Sequence, residues 1–398
     1  MTGPLRVTPF HTRTAALCES QAWRRWAGHV VASSYELVHD REYHAIRSSA
    51  ALFDVSPLYK YLIRGRDAAR LLDRVVTRGV ANAAPGRVLY TPWCDARGKV
   101  IDDGTVARLD ESTFRLTSAD PNLRWLSLNA RGLDVAIEDI SNRTAALALQ
   151  GPAARLILGS VIDADLASLK FYRSTQAMLR GAGVTISRTG YTGDLGYEIW
   201  IDAADALSVW DALIDVGTPY GLTPAGMLAL DVARIEAGLV LLDVDYVSAH
   251  RALIERQLSS PFELSLDWTV KLDKPWFVGR QPLIEERDGA PSWRLVGVEV
   301  EWDSLEGRYA EVGLPPRLPA TAWRTSVPLF GGNRQVGYAT SGCWSPLLKR
   351  LIALAHVEAS HAPVGTALEM EVTVEHRRRR AAARVVPKPF FDPERKRA

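Results

Sequence analysis

The sequence predicts an α+β protein, and three features indicate this class. Apolar and polar residues alternate over 114–117 and over 294–302, as they do in strands that bury one face. Helical spacing of apolar residues predicts a helix over 203–216, with Asp202 placed to cap it and Gly217 placed to end it. Strand-like and helix-like segments follow each other irregularly, without the steady alternation of a doubly wound parallel sheet.

The length of 398 residues predicts more than one domain. The polar segment 285–292 is the best boundary, because the sequence after it turns strand-rich with proline-dense loops. We therefore predict an α+β region over 1–285 and a C-terminal β domain over 293–398.

Composition excludes several classes of protein. The 48 basic and 46 acidic residues nearly cancel, which argues against a nucleic-acid partner. There is neither an apolar run long enough for a membrane span nor a secretory leader, so the prediction is a cytoplasmic protein without a membrane partner. The three cysteines are far apart and lack metal-ligand spacing, which predicts no metal site. No dinucleotide-binding glycine fingerprint or phosphate-binding loop is present, so NAD and ATP are not expected.

Two adjacent carboxylates, Asp102 and Asp103, follow a turn and an apolar stretch. On a strand they must point to opposite faces, so one catalytic acid is more plausible than a paired dyad. A hairpin that carries surface acids is the alternative.

One further segment combines residues that suit a flat ligand. The segment 189–198 contains three glycines, Tyr191 for stacking and Glu198 for a planar pair of donors, although a structural turn is the alternative. The segment 230–238 reads as a helix with Asp231 and Arg234 at i, i+3, for which a solvated face is the alternative. The role of the basic run 377–380 stays open between a solvated face and a site for an anionic ligand.

Together these segments resemble the T-protein (aminomethyltransferase) of the glycine cleavage system and its folate-dependent relatives, which include tetrahydrofolate-dependent demethylases. The likeness covers nearly the whole chain and keeps the family's order and spacing. The matching segments are 47–56 (RSSAALFDVS), Tyr90, 95–103 (DARGKVIDD), 149–152 (LQGP), 189–198 (TGYTGDLGYE), 234–238 (RIEAG), 277–280 (FVGR) and 340–346 (TSGCWSP).

The resemblance implies a three-domain cloverleaf: two lobes that contain ferredoxin-like sheets and a C-terminal β-barrel-like domain, arranged around a central hole that takes tetrahydrofolate. It implies that Glu198 binds the pterin and that Tyr191 lines the same slot. It places Tyr90 and Asp102 near the reactive edge, with Asp102 tied to catalysis and Asp103 more structural. Arg234, at the start of the RIEAG segment, is predicted to belong to the cofactor site.

Some positions depart from the family pattern. Leu230 stands where the family carries a folate-site arginine, Leu242 and Asp243 replace a tyrosine and a glycine, and the segment 118–120 loses an asparagine. The substrate side therefore looks rebuilt.

We predict an enzyme that moves a methyl or methylene unit between tetrahydrofolate and a small-molecule amine, ether or sulfonium substrate. One alternative is a T-protein that acts on a lipoyl carrier, the H-protein. The other is a folate-binding protein without catalysis.

Overall fold

The computed structural model describes residues 5–398. Helices and mainly antiparallel strands are mixed along this range, so the predicted α+β class is confirmed. The α-helices are α1 (His11–Leu17), α2 (Asp40–Ser48), α3 (Ala68–Val75), α4 (Leu123–Asn129), α5 (Ala154–Gly159), α6 (Ala206–Gly217), α7 (Met227–Glu236), α8 (Arg280–Gly289) and α9 (Trp302–Ala310). None of the helices between residues 5 and 398 has the length and apolar character that a membrane span requires.

The strands form three open sheets and one closed barrel. The strands are β1 (Arg6–Val7), β2 (Trp23–Trp26), β3 (His29–Ala32), β4 (Ala50–Asp54), β5 (Tyr59–Arg64), β6 (Val88–Cys94), β7 (Val100–Arg108), β8 (Thr113–Ser118), β9 (Ala136–Asp139), β10 (Thr144–Gln150), β11 (Ser174–Leu179), β12 (Ala182–Ser187), β13 (Gly196–Asp202), β14 (Leu222–Pro224), β15 (Trp293–Val300), β16 (Val327–Gly331), β17 (Arg334–Ser345), β18 (Arg350–Glu358), β19 (Ala367–Val374) and β20 (Arg377–Val386). Their orders are β1-β3-β2, β6-β7-β8-β5-β9, β11-β12-β13-β10-β4-β14 and, in the barrel, β15-β18-β17-β16-β19-β20.

The two larger open sheets interleave along the chain. The chain enters the six-stranded sheet at β4, builds the five-stranded sheet from β5 to β9, and returns to the first sheet for β10 to β14. Two α+β lobes followed by a C-terminal barrel match the architecture that the resemblance implies.

Strand β13 shows how the sequence pattern builds the second lobe. Tyr197, Ile199 and Ile201 alternate along it and are buried in a core with residues of α5 and α6. Glu198 and Trp200 therefore point to the opposite face, as the period of two requires. There the guanidinium carbon of Arg115 from β8 lies 3.8 Å from the centroid of the Trp200 ring, so the two lobes meet at this face.

The predicted helix over 203–216 is α6, preceded by a short 3₁₀ turn. Asp202 caps that turn by accepting a hydrogen bond from the backbone N–H of Ala204 at 2.9 Å, and Gly217 is the last helical residue. The polar segment at the predicted domain boundary is helical as far as Gly289, because it forms the second half of α8.

The predicted strand over 294–302 is β15 (Trp293–Val300), but it ends two residues earlier than expected. It ends at Val300, and Trp302 begins α9. The alternation of apolar and polar residues did not predict the end of this strand, because the chain turns at Glu301 and buries Leu305 in the barrel core.

The basic run 377–380 opens β20 beside β19 in the barrel. Three of its guanidinium groups lie within salt-bridge distance of acidic side chains. The pairs are Arg378 with Glu371 at 3.6 Å, Arg379 with Glu311 at 3.7 Å and Arg380 with Glu369 at 3.5 Å. These contacts favour the interpretation of the run as a solvated, paired strand face.

Gly104 determines how closely β7 approaches β8 behind the two adjacent aspartates. A Cβ atom at this position would lie 1.9 Å from the carbonyl oxygen of Thr117 on β8. We expect Gly104→Ala to lower the free energy of unfolding by about 1–3 kcal/mol, the cost of overpacking. Gly183→Ala is the matched strand control, because a Cβ there meets no atom within 4 Å. Equal urea midpoints for the two variants would contradict this explanation of Gly104.

Candidate active site

Asp102 and Asp103 lie on β7 and point to opposite faces, as their adjacency predicts. Asp102 is fully buried, so the alternative of two surface acids is wrong for it. Its carboxylate accepts hydrogen bonds from the backbone N–H groups of Asp103 at 2.8 Å and Asp120 at 2.9 Å, and from the amide of Asn122 at 2.8 Å. Burial raises the pKa of Asp102 well above its ordinary value, and the neighbouring Asp103 charge adds to this.

Asp103 faces two phenols. Tyr90 donates to its Oδ2 at 2.8 Å, and Tyr246 donates to its Oδ1. Burial raises the pKa of Asp103, while the two phenolic hydrogen bonds lower it. The structure therefore brings the predicted Tyr90 to Asp103 and not to Asp102.

The phenol of Tyr90 belongs to an aromatic stack at the rim of this site. The rings of Tyr90 and Trp268 are nearly parallel, with centroids 5.9 Å apart. The guanidinium carbon of Arg78 lies 5.1 Å from the Trp268 centroid. Trp268 is 54 % exposed, so the stack extends from the half-buried Asp103 carboxylate to solvent.

Glu198 forms a second polar group on β13. The hydroxyl of Thr189 donates to its carboxylate. Arg115 and Thr117 on β8 share one face of their strand and are buried, and neither Arg115 Nε nor Thr117 Oγ1 has a partner in the part of the chain that the structure describes. Burial raises the pKa of Glu198, and the hydrogen bond from Thr189 and the Arg115 charge lower it. This face thus offers one acceptor carboxylate beside unpaired polar atoms.

The glycine-rich loop before Glu198 is shaped by Gln150. A Cβ at Gly190 or Gly196 would lie 2.0 or 2.3 Å from atoms of the Gln150 amide, so a larger residue at either position would displace this buried amide. That amide accepts from Thr192 at 2.8 Å and donates to the carbonyl of Thr189 at 3.3 Å. The two matching segments LQGP and TGYTGDLGYE therefore form one unit.

Tyr191 and Arg234 lie behind the loop. The Tyr191 hydroxyl donates to the carbonyl of Val240. Arg234 is fully buried on α7 and pairs with Asp245 at 2.6 Å, while its Nε is 4.0 Å from Asp231. The alternative of a solvated helix face is therefore wrong. Arg234 Nε and Nη2 have no hydrogen-bond partner within residues 5–398.

The matching segments 47–56, 189–198 and 234–238 also contribute charged side chains to a buried network of ion pairs outside the site. Arg47 pairs with Glu236 at 2.6 Å and with Asp194 at 3.3 Å, and Arg395 reaches Asp194 at 2.7 Å. The phenol of Tyr43 donates to Glu236. The network ties α2, α7, the glycine-rich loop and the C-terminal segment together behind the site.

Tyr172 lies near both polar groups, because its phenol interacts with Glu198 and with Tyr90, and sequence reasoning missed it. Burial and the Glu198 charge raise its pKa. Burial raises the pKa of Tyr90, and the nearby Tyr172 adds to this rise through repulsion between the ionised forms. Tyr172 has a backbone φ of +58°, and nothing in the sequence predicted this conformation. Asp103, Tyr246, Trp268 and Arg115 were also missed as site residues, because their roles depend on partners distant in sequence.

Two positions that depart from the family pattern contact the same arginine. Arg251 pairs with Asp120 at 2.9 Å and with Asp243 at 2.7 Å. Asp243 has a φ of +65°, the left-handed region that favours glycine. Asp120 and Asp243 therefore form one ion-paired group with Arg251 next to Asp102, which accepts from the N–H of Asp120.

Comparisons with known proteins give the family. The GCVT N-terminal domain family matches residues 10–274, and the glycine cleavage T-protein C-terminal barrel domain family matches residues 312–392. The chain is 35 % identical to an aminomethyltransferase of Bacillus pumilus over 356 residues, which are 88 % of this chain and 89 % of that protein. It is 36 % identical to an aminomethyltransferase of Halothermothrix orenii, over 88 % of this chain and 90 % of that protein.

A solved structure supports the same fold. The crystal structure of the glycine cleavage system aminomethyltransferase T from Bartonella henselae matches with a TM-score of 0.82 and 24 % identity, covering 98 % of each chain. The two family matches cover most of the chain, and these relatives are identical to it at more than a third of the aligned residues, over about nine tenths of their own length. The chain therefore belongs to the glycine cleavage T-protein family of aminomethyltransferases.

Proposed function

We propose that this protein is a folate-dependent aminomethyltransferase that passes a one-carbon unit to tetrahydrofolate. The observation that carries the proposal is the face of Glu198, Arg115 and Thr117, where the half-buried Glu198 carboxylate lies within reach of the Arg115 charge and two buried polar atoms of β8 lack partners. Relatives named aminomethyltransferase, similar over 88 % of the chain, support the same activity.

The residues of this face fit a pterin. The edge of a pterin carries an amino group and a ring N–H that can donate in parallel to one carboxylate, and further heteroatoms that can pair with Arg115 Nε and Thr117 Oγ1. Tyr191 would line the slot, and Arg234 would hold the loop behind it through Asp245. When bound, tetrahydrofolate supplies the nucleophilic nitrogen that takes up the one-carbon unit.

The Asp102–Asp103 pair is the part of this chain proposed to assist the transfer. Asp102, which the resemblance ties to catalysis, accepts three hydrogen bonds from the chain itself. It would therefore assist by fixing the backbone of Asp103 and of the loop at Asp120. Tyr90, proposed to lie near the reactive edge of the pterin, would act through the hydrogen bond that it donates to Asp103.

Glu198→Gln tests the pterin site. The amide can accept only one hydrogen bond from the donor pair and carries no charge, so we expect the dissociation constant of tetrahydrofolate to rise about tenfold or more. Anaerobic calorimetry with the variant and with Glu111→Gln, a highly exposed control, checks this. An unchanged dissociation constant in Glu198→Gln would mean that the pterin does not bind at this face.

The one-carbon donor is proposed to be the aminomethyl group on a lipoyl H-protein, as the similarity to aminomethyltransferases suggests. A small-molecule amine, ether or sulfonium donor is the second candidate. The reason is the ion-paired group of Asp120, Arg251 and Asp243, because it changes the surface next to Asp102 relative to the family pattern.

Each donor class can be offered with tetrahydrofolate, and the folate product can be followed by chromatography. Formation of methylenetetrahydrofolate from aminomethylated H-protein would support the first donor. Formation of methyltetrahydrofolate from a methylated small molecule alone would overturn it, and folate binding without any transfer would favour a non-catalytic protein.

A further inference from the structure

We propose that Arg78 and Arg87 bind the negatively charged glutamyl tail of tetrahydrofolate. The proposal rests on the proposed function, and it adds a second contact site for the same ligand, at the end opposite the pterin. Beyond the pterin, tetrahydrofolate continues into an aminobenzoyl ring and a glutamate, whose carboxylates are ionised at neutral pH. Guanidinium groups are the side chains best suited to bind such carboxylates.

Both arginines lie at β6, the edge strand of the five-stranded sheet. Arg87 immediately precedes this strand. Arg78 lies beside it, because its backbone N–H donates to the hydroxyl of Thr91 at 3.3 Å and its guanidinium donates to the carbonyl of Tyr90 at 3.3 Å. The phenol of the same Tyr90 donates to Asp103. The two arginines therefore lie next to the candidate active site.

Tyr172 connects the two arginines to the pterin face. The N–H of Val88 donates to the carbonyl of Tyr172 at 3.0 Å, which places Tyr172 beside Arg87. The pKa of Tyr172 is raised to about 12, because burial and the Glu198 charge outweigh the opposing charges of Arg78 and Arg87. The phenol thus interacts with the carboxylate proposed to bind the pterin and with both guanidinium groups. A ligand that leaves Glu198 along this phenol reaches the arginines.

The positive charge of this pair is not balanced by the protein. In the part of the chain that the structure describes, neither Arg78 nor Arg87 forms a salt bridge, and both are half-buried. By contrast Arg108, whose N–H donates to the carbonyl of Arg87, pairs with Glu111 at 3.1 Å. Burial lowers the pKa of Arg78, and the charge of Arg87 lowers it further. A bound carboxylate would relieve the repulsion between the two guanidinium groups.

Flat aromatic rings lie near the same arginines. The guanidinium carbon of Arg78 is 5.1 Å from the centroid of the Trp268 ring, and Trp268 stacks on Tyr90. Together with Tyr172, these rings offer apolar faces for the aminobenzoyl ring that joins the pterin to the glutamate. The surroundings of Arg78 therefore match both parts of the tail. The basic run 377–380 does not, because three of its four arginines lie beside acidic side chains of the barrel.

Two matched ligands test the proposal: tetrahydrofolate, and tetrahydropteroylamide, in which an uncharged amide replaces the glutamate. We expect Arg78→Gln and Arg87→Gln each to raise the dissociation constant of tetrahydrofolate about tenfold, because each variant loses a charge-assisted hydrogen bond. The dissociation constant of the amide should change by less than about twofold, since the pterin face is intact. Anaerobic calorimetry measures both constants. Arg70→Gln is the control, because Arg70 is an exposed arginine of α3 whose side chain pairs with Asp67.

The two ligands also separate this proposal from the proposed function. Glu198→Gln should weaken both ligands, whereas the arginine variants should weaken only tetrahydrofolate. If Arg78→Gln and Arg87→Gln weakened both ligands equally, or changed neither dissociation constant, the arginines would not bind the tail. A wild type that binds both ligands with the same affinity would overturn the tail site and leave the pterin site standing. A wild type that binds neither ligand would overturn the proposed function and the tail site together.

Discussion

Glu236→Gln is expected to lower the free energy of unfolding by about 3–5 kcal/mol, because the change leaves a buried guanidinium without its main counter-ion. Glu236 is fully buried and accepts from Arg47 at 2.6 and 3.1 Å. The hydroxyls of Tyr43 and Ser345 donate to its other oxygen. Urea unfolding at neutral pH measures the effect.

The control for this prediction is Glu358→Gln. Glu358 also pairs with an arginine, Arg334, through both oxygens, but the arginine side chain is 61 % exposed. A surface pair of this kind contributes at most about 1 kcal/mol. A loss in Glu236→Gln no larger than in this control would mean that the network of Arg47, Glu236 and Asp194 does not hold α2, α7 and the glycine-rich loop together.

Asp103→Asn is expected to reduce kcat by about 10²- to 10⁴-fold, the range of lost acid–base assistance, with tetrahydrofolate affinity nearly unchanged. An amide still accepts from one of the phenols of Tyr90 and Tyr246, so the fold should persist, but the amide cannot take up the proton. Single-turnover kinetics with the active donor, together with calorimetric folate binding, check both parts.

Asp102→Asn is the companion variant. Its amide N–H₂ would face either the N–H of Asp103 or the N–H groups of Asp120 and Asn122, so we expect about 1–3 kcal/mol of lost stability. The accompanying loss of turnover should be smaller than in Asp103→Asn, since Asp102 acts through its neighbour. If kcat fell more in Asp102→Asn than in Asp103→Asn, and Asp102→Asn kept the stability of the wild type, the catalytic residue would be Asp102, as the resemblance implies.

Much of the fold could be predicted because its signals are local or repeated along the chain. The alternation at Tyr197, Ile199 and Ile201 identifies the core face of β13 and thereby the direction of Glu198. The helix start at Asp202 follows from capping chemistry. The strand end at Val300 was misplaced, because burial of Leu305 by the barrel is a tertiary effect.

The site was harder to predict because its contacts join residues far apart in sequence. Alternation predicted that Asp102 and Asp103 face opposite ways, but it could not say which face holds the reactants. That depends on Asn122 behind one carboxylate and on Tyr246, 143 residues away, in front of the other. For the same reason Arg234 could be read as a surface residue, although Asp245 pairs with it inside the protein.

The most direct test of the central claim is a crystal structure of the complex with 5-methyltetrahydrofolate. The account predicts the donor edge of the pterin on the Glu198 carboxylate, with the methyl-bearing nitrogen on the side of Asp103. A pterin bound elsewhere, or one whose reactive edge points away from both aspartates, would contradict it.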